Sequence, residues 1–285
     1  MIWQCGSREI DLSREGGIMG ILNVTPDSFS DGGEFNRVDS AVAHGLSMLD
    51  DGALIIDVGG ESTRPGAADV PSDLETSRVL PVIEGIAAAK PDALISIDTS
   101  KSTVARKAIR AGAAIVNDVT GLRGDLDMAE TVAEFGVGVV IMHMQGRPRT
   151  MQRAPEYRDV VAEVREFFEM QFSRAIAAGI PRTAIVFDPG IGFGKTLEHN
   201  LELLRNLESL TVQGRPLLLG VSRKSFIGKL IQSDEVEDRN WPTVALTAFG
   251  RENGVFLHRV HEVRSNLDAL RMCEAILNAK GPDSK

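Results

Sequence analysis

The strongest constraint on this chain is a unit it repeats. A short apolar run, bounded by glycine or by a helix end, stops at a polar residue and hands over to a helical pattern. Leu54-Ile55-Ile56-Asp57-Val58, followed at once by Gly59-Gly60, is the clearest copy. A run without polar alternation reads as a strand buried on both faces, the condition of parallel strands covered by helices. Runs of the same kind occupy residues 17–24, 94–98, 114–118, 138–142, 184–188, 217–221 and 255–259. Helical patterns fill 39–50, 73–89, 101–111, 126–135, 157–178, 199–207, 225–231, 242–250 and 264–278, with Asp39, Ser72 and Ser100 placed to cap three of them.

Eight such strands without an internal linker can build either an open doubly wound sheet or a closed barrel. The number of strands, and a polar residue at the end of nearly every one, favour an α/β fold of the (β/α)8 TIM-barrel type, with the site at the C-terminal mouth. One domain is expected over residues 1–285, with residues 281–285 a frayed tail.

Composition narrows the partners. With 31 basic against 40 acidic residues the net charge is −9, so a nucleic-acid surface is not expected, although a local cluster of arginines can still bind an anion. Cys5 and Cys273 form no C-x-x-C pair, and a reducing compartment is the plain reading. The N-terminus lacks the basic region and long apolar core of a signal peptide, and no apolar run reaches membrane-spanning length. A cytoplasmic protein without membrane partners is the expectation.

A closed barrel gathers the strand-end residues into one cavity, where they form two chemical sets. Asp98, Asn117, Asp188 and Lys224 offer two carboxylates, an amide and an ammonium. That set suits a flat heterocycle with alternating N–H, amino and carbonyl groups. Asn23, Thr63, Arg64, Arg259 and His261 are rich in donors and suit an anion, since the arginine fork matches phosphate oxygens. Phe29, Pro65 and Phe193 could serve as apolar walls.

Plainer roles compete for several residues. Asp118 reads as a turn residue beside the inward Asn117. Asp57 belongs either to the site or only to loop backbone. Lys195, after Gly194, reads as a solvated loop residue, and His143 between Met142 and Met144 as a packed core histidine. The segment Gly190-Ile191-Gly192-Phe193-Gly194-Lys195 only partly echoes a phosphate-binding loop. No His, Asp or Glu spacing demands zinc. Ser62 and Ser222 lack an evident histidine partner, which disfavours a serine nucleophile. Lys224 at a strand end could form a Schiff base, with Arg223 helping to lower its pKa.

The residues also carry a resemblance. The stretches Asn23-Val24-Thr25-Pro26-Asp27-Ser28-Phe29-Ser30-Asp31-Gly32-Gly33 and Asp57-Val58-Gly59-Gly60-Glu61-Ser62-Thr63-Arg64-Pro65-Gly66 resemble the two signatures of the dihydropteroate synthases. Ser96-Ile97-Asp98-Thr99, Asn117-Asp118, Met142-His143-Met144-Gln145-Gly146, Asp188 to Lys195, Ser222-Arg223-Lys224-Ser225 and Arg259-Val260-His261 match later motifs in order. Small departures are Ile191, often Phe in relatives, and His258, where an apolar residue is common.

That resemblance implies a pterin-binding TIM barrel of folate biosynthesis, a homodimer and a sulfonamide target. It implies that a dihydropterin carrying a CH₂-diphosphate condenses with 4-aminobenzoate and releases diphosphate. By analogy the pterin meets Asp98, Asn117, Met142, Asp188, Phe193, Gly220 and Lys224. The diphosphate meets Asn23, Thr63, Arg64, Arg259 and His261, with Mg²⁺ beside Asn23. The aminobenzoate lies near Phe29, Thr63, Pro65, Ser222 and Lys224. Asp98, Lys224, Asp31 and Arg259 are the expected catalytic residues. Rival readings are a pterin-dependent methyltransferase on a similar barrel, a Lys224 Schiff-base aldolase, and a silent pterin-binding or scaffold subunit.

Overall fold

The computed structural model describes residues 1–25, 34–62, 67, 69–147 and 149–279, with the side chains of residues 34–36 outside the description. Two short antiparallel strands open the chain, β1 (Ile2–Cys5) and β2 (Arg8–Asp11). Alternating strands and helices follow: β3 (Gly17–Asn23), α1 (Glu34–Asp50), β4 (Ile55–Gly59), α2 (Ser72–Ala89), β5 (Leu94–Asp98), α3 (Ser102–Arg110), β6 (Ile115–Asp118) and α4 (Met128–Phe135). The second half runs β7 (Gly138–Met142), α5 (Val160–Ala177), β8 (Ile185–Asp188), α6 (Leu197–Arg205), β9 (Leu218–Leu219), α7 (Ser225–Ile231), α8 (Asn240–Glu252), β10 (Leu257–Val260) and α9 (Val263–Leu277).

The strands β3 to β10 pair in parallel in the order β8-β7-β6-β5-β4-β3-β10-β9. A parallel bridge between Phe187 and Leu217, with the Phe187 amide donating to Pro216 O at 3.1 Å, joins the two ends and closes the ring. The expected single-domain (β/α)8 barrel is therefore the observed fold, and the open-sheet alternative is excluded.

Side chains alternate across each strand. One face, including Ile18, Leu22, Ile56, Val58, Ile95, Ile97, Ile141 and Phe187, packs outward against the helices. The other face fills the barrel. Its lower layer is Met19, Ile55, Leu94, Ile115, Val140, Val186, Leu218 and Leu257. The β1–β2 hairpin plugs this end, contributing Trp3, Cys5, Ile10 and Leu12 to the same cluster. Trp3 Nε1 donates to Ala184 O at 2.9 Å, and Arg215 donates to Ile2 O at 2.8 Å. The apolar plug seals the lower end, so the polar residues two and four positions further along each strand face the mouth.

Several element starts differ from expectation. Backbone helix α1 begins at Glu34, so Asp39 lies a turn inside it and caps nothing. Ser72 is itself helical, after Pro71 at the cap position. Ser100 does not cap α3; the Lys101 amide bonds Thr99 Oγ1 at 3.2 Å and the Ser102 amide bonds Asp125 Oδ2 at 2.8 Å. Helix α5 begins at Val160, capped by Asp159, which accepts from the Ala162 amide. Helix α6 is closed by a reciprocal Thr196–His199 capping box. The expected tail at 281–285 lies outside the described residues.

Candidate active site

Strand register assembles the mouth. Asn23 pairs with Gly59, Gly59 with Asp98, and Asp98 with Asn117, so these four residues occupy one ring on one face. On the far side Met142 pairs with Asp188. Gly220 has no side chain, and a Cβ there would stand 3.5 Å from Asp188 Oδ2 and 3.9 Å from Arg259 Cβ. The glycine keeps a flat space open above the Asp188 carboxylate.

Arg259 ties the ring together. Its Nε donates to Asp57 Oδ2 at 2.6 Å and its Nη2 to Asp98 Oδ2 at 2.7 Å. Asn117 Nδ2 donates to the same Asp57 oxygen at 2.9 Å. Asp57 is wholly buried, and among the described residues its hydrogen bonds go to the Asn117 and Arg259 side chains and not to loop backbone. Asp57 Oδ1 and Ser96 Oγ, on paired positions of β4 and β5, have no hydrogen-bond partner among the described residues.

Burial sets the electrostatics. It pushes Asp98 up to about 7, with the Arg259 charge opposing and the Asp57 charge adding to the rise. Asp188 is also raised by burial, against the attraction of Lys224 and the hydrogen bond from the Gly190 amide. Lys224 is pushed down to about 8 by burial, opposed by Asp188 and assisted by Arg259. Arg223 has no part in that shift. It adopts φ +57° and turns away, its Nε on Asn240 Oδ1 at 2.7 Å and its Nη2 on Glu262.

Lys224 and Phe193 form one wall. The Lys224 ammonium lies 4.7 Å from the centre of the Phe193 ring and donates to Ile191 O. Beneath Phe193 is an apolar floor of Val119, Met142, Met144 and Met151. Of these, Val119, Met144 and Met151 were not anticipated. Met144 and Met151 flank a polar loop, and a pair of methionines beside a glycine-rich turn is the signal that could have marked them.

Two expectations are corrected. Ser222 does have a histidine partner: its Oγ lies 2.9 Å from His261 Nδ1 and accepts from the His261 amide at 3.1 Å. Lys195 is not solvated. It is 2% exposed, and its Nζ reaches Gly190 O, Phe193 O and His143 Nδ1, each at 3.0 Å. His143 is packed as expected, edge-on to Phe167 with centroids 4.9 Å apart, and burial together with the Lys195 charge pushes it down to about 2. Asp118 is the expected turn residue, accepting from the Thr120 and Leu122 amides. The described residues thus bring together Asn23, Asp98, Asn117, Met142, Asp188, Phe193, Gly220, Ser222, Lys224, Arg259 and His261. Phe29, Asp31, Thr63, Arg64 and Pro65 lie outside them.

The arrangement can do two things chemically. Two carboxylates, an amide and an ammonium around a flat slot can satisfy the edges of a nitrogen heterocycle. Asn23, Arg259 and His261 beside it can meet an anion. Comparisons with known proteins point the same way. Residues 19–261 match the model of the family described as pterin binding enzyme. The dihydropteroate synthase of Escherichia coli strain K12 is 48% identical over 263 residues, 92% of either chain. A Xanthomonas albilineans dihydropteroate synthase solved with 4-aminobenzoic acid superposes with a TM-score of 0.91 at 43% identity, covering 98% of this chain and 99% of its own. Another structure of that enzyme, in complex with 7,8-dihydropteroate, gives a TM-score of 0.88 at 41% identity, covering 98% and 100%. The chain belongs to the pterin-binding enzyme family, within its dihydropteroate synthase branch.

Proposed function

We propose that this protein condenses (7,8-dihydropterin-6-yl)methyl diphosphate with 4-aminobenzoate, forming 7,8-dihydropteroate and releasing diphosphate. The observation that carries the reading is the slot of Asp98, Asn117, Asp188 and Lys224 at the barrel mouth, with Arg259 at its edge. Relatives solved with 4-aminobenzoic acid and with 7,8-dihydropteroate support the choice of substrate and product.

In this reading Asp98 and Asp188 accept from the pterin ring and amino groups. Asn117, its amide turned by Asp57, presents its oxygen to a ring donor, and Lys224 donates to a ring acceptor. Phe193 and Met142 cover the faces, and Gly220 leaves room for the ring. Asn23, Thr63, Arg64, Arg259 and His261 meet the diphosphate. Phe29, Thr63, Pro65, Ser222 and Lys224 surround the aminobenzoate.

The C–O bond to diphosphate breaks first, and its electron pair leaves with the oxygen. The pterin ring delocalises the resulting positive CH₂ centre, and Asp31 and the slot carboxylates stabilise it. The aminobenzoate nitrogen then supplies the pair for the new C–N bond and sheds its acidic proton to water or to the departing diphosphate. No side-chain nucleophile is needed. Fixed donors such as Arg259 act by electrostatic preorganisation, each lowering the barrier by roughly 3–4 kcal/mol.

Among the described residues no cluster of three or more His, Cys, Asp or Glu could hold a metal ion by itself. Asn23 Oδ1, which would lie 3.7 Å from a Cβ at Gly59, is a neutral oxygen donor at the anion end of the slot. That suits Mg²⁺, which keeps most of its ligands from phosphate and water. When bound there, Mg²⁺ would neutralise charge on the leaving diphosphate. We further infer a homodimer working in the cytoplasm; among the described residues no helix is long and apolar enough to cross a membrane. Mass spectrometry of the reaction with both substrates tests the assignment. The mass of dihydropteroate is expected, and its absence with both substrates bound would overturn it.

A further inference from the structure

We infer that Lys195 is a positioning residue for the pterin wall, closing the backbone of residues 190–194 from behind so that Phe193 and Lys224 face the slot. The inference rests on the pterin-binding reading above.

The loop after β8 is tied by its carbonyls. Gly190 O and Phe193 O accept from Lys195 Nζ at 3.0 Å. Ile191 O accepts from Lys224, and Gly192 O from Gln152 Nε2. Gly194 O accepts from Tyr157 Oη at 2.9 Å. Five consecutive carbonyls are thus held by side-chain donors, two of them by Lys195.

Backbone geometry makes this possible. Gly190, Gly192 and Gly194 take φ of +63°, +84° and +62°, which L side chains rarely adopt. A Cβ at Gly190 would meet His143 O at 2.0 Å, and one at Gly194 would meet Gln145 O at 2.3 Å. The loop therefore lies flat on the end of β7, and the residue after it is carried inward. This is why the segment is no phosphate loop. Gly190 O and Phe193 O turn back into the protein, and the lysine that binds them points into the core instead of toward a ligand.

Lys195 sits where a packing residue alone would not need a charge. Its three protons match three acceptors at 3.0 Å: Gly190 O, Phe193 O and His143 Nδ1. His143 O is a fourth at 3.3 Å. With the Lys195 ammonium donating, His143 Nδ1 accepts, which matches the neutral tautomer protonated at Nε2. Burial pushes Lys195 well below its ordinary range and the Asp188 charge supports it, so the ammonium depends on this cage. Phe193, whose carbonyl Lys195 holds, carries the ring that stacks on Lys224. Loss of the cage would loosen that wall while leaving intact the Ser222–His261 contact, to which Lys195 makes no bond.

The test is Lys195→Met in the full chain, compared with wild type. Calorimetry with a free pterin lacking the diphosphate should show binding weakened at least about tenfold, and KM for the pterin diphosphate should rise by a similar factor. KM for 4-aminobenzoate at saturating pterin diphosphate should rise by a smaller factor, since Lys224, but not Ser222, bonds the 190–194 loop. The ¹⁵N signal of His143 Nδ1 should lose its accepted hydrogen bond. Gln152→Ala with Tyr157→Phe, which frees two other carbonyls from a less buried side, should move the pterin values in the same direction. That pair decides the matter if Lys195→Met does not fold. Unchanged free-pterin affinity in a folded variant, or equal rises in both KM values, would overturn the inference. A wild-type protein that binds pterin but forms no product would instead overturn the proposed function and leave this inference standing.

Discussion

Replacing Asp98 by Asn should make the protein more stable and less able to bind pterin. Asp98 is 7% exposed and shares Arg259 with Asp57, so two carboxylates stand against one guanidinium. Burial and the neighbouring Asp57 raise its pKa from 3.8 to about 7 despite Arg259. An acid whose folded pKa lies above its unfolded value releases its proton later in the folded state. Stability is then full below pH 3.8 and falls as pH rises, with the loss complete above pH 7. A rise of about three pKa units corresponds to about 4 kcal/mol, and sharing of the shift with Asp57 and Arg259 brings the working figure to about 2–4 kcal/mol. Asn keeps an oxygen for Arg259 without the charge. In urea unfolding at pH 8 the variant should exceed wild type by that margin, and the gap should shrink to less than half at pH 5. Pterin affinity should fall, because the amide presents a donor to a ring donor at a cost of about 1–3 kcal/mol. Normal pterin affinity, or a variant destabilised at pH 8 as much as at pH 5, would refute the reasoning.

Lys224→Arg should bind pterin poorly, since a planar fork replaces a compact ammonium seated on Phe193 and Ile191 O. Borohydride with carbonyl substrates should leave Lys224 unmodified, and a mass shift there would restore the aldolase reading. His258 is 1% exposed, and beyond an interaction with the Val255 backbone its ring nitrogens find no well-formed hydrogen bond among the described residues. His258→Leu should therefore stabilise the protein by about 1–3 kcal/mol at pH 7 in urea unfolding. Burial also pushes His258 down to about 4, so the unfolded state takes up its proton first; wild type should lose up to about 3 kcal/mol between pH 6.5 and 4 through this residue, a loss the leucine variant escapes. Calorimetry of 4-aminobenzoate should show tighter binding with Mg²⁺-diphosphate present than without it, because Thr63, assigned to both subsites, couples them; equal affinities would remove that coupling.

The barrel and the polar ring were legible because each strand is a continuous apolar run, and the residue that ends it is fixed in direction by the two-residue repeat. Asp98, Asn117 and Asp188 follow from that rule alone, whereas Gly220 came only from the family resemblance. Asp57 was only half legible. Its place inside the barrel follows from the alternation, but its partners Asn117 and Arg259 lie 60 and 202 residues away. The Ser222–His261 contact, 39 residues apart, was hidden for the same reason. Lys195 misled because a lysine after glycine usually marks solvent, whereas here three left-handed glycines reverse the chain and carry it inward. Arg223 misled in the opposite sense: its positive φ sends it away from its neighbour Lys224. The plug strands were not anticipated, since two four-residue strands joined at Gly6-Ser7 are too short to show a period, and only the open lower end of the barrel gives them a purpose.

The central claim is that this mouth couples loss of diphosphate to attack by an aromatic amine. The direct measurement is diphosphate release from (7,8-dihydropterin-6-yl)methyl diphosphate, followed continuously with Mg²⁺ present, with 4-aminobenzoate added or withheld. Release that saturates with 4-aminobenzoate, equals dihydropteroate formed mole for mole, and collapses in Asp98→Asn is the predicted result. Release at the same rate without the amine, or none with it, would contradict the account.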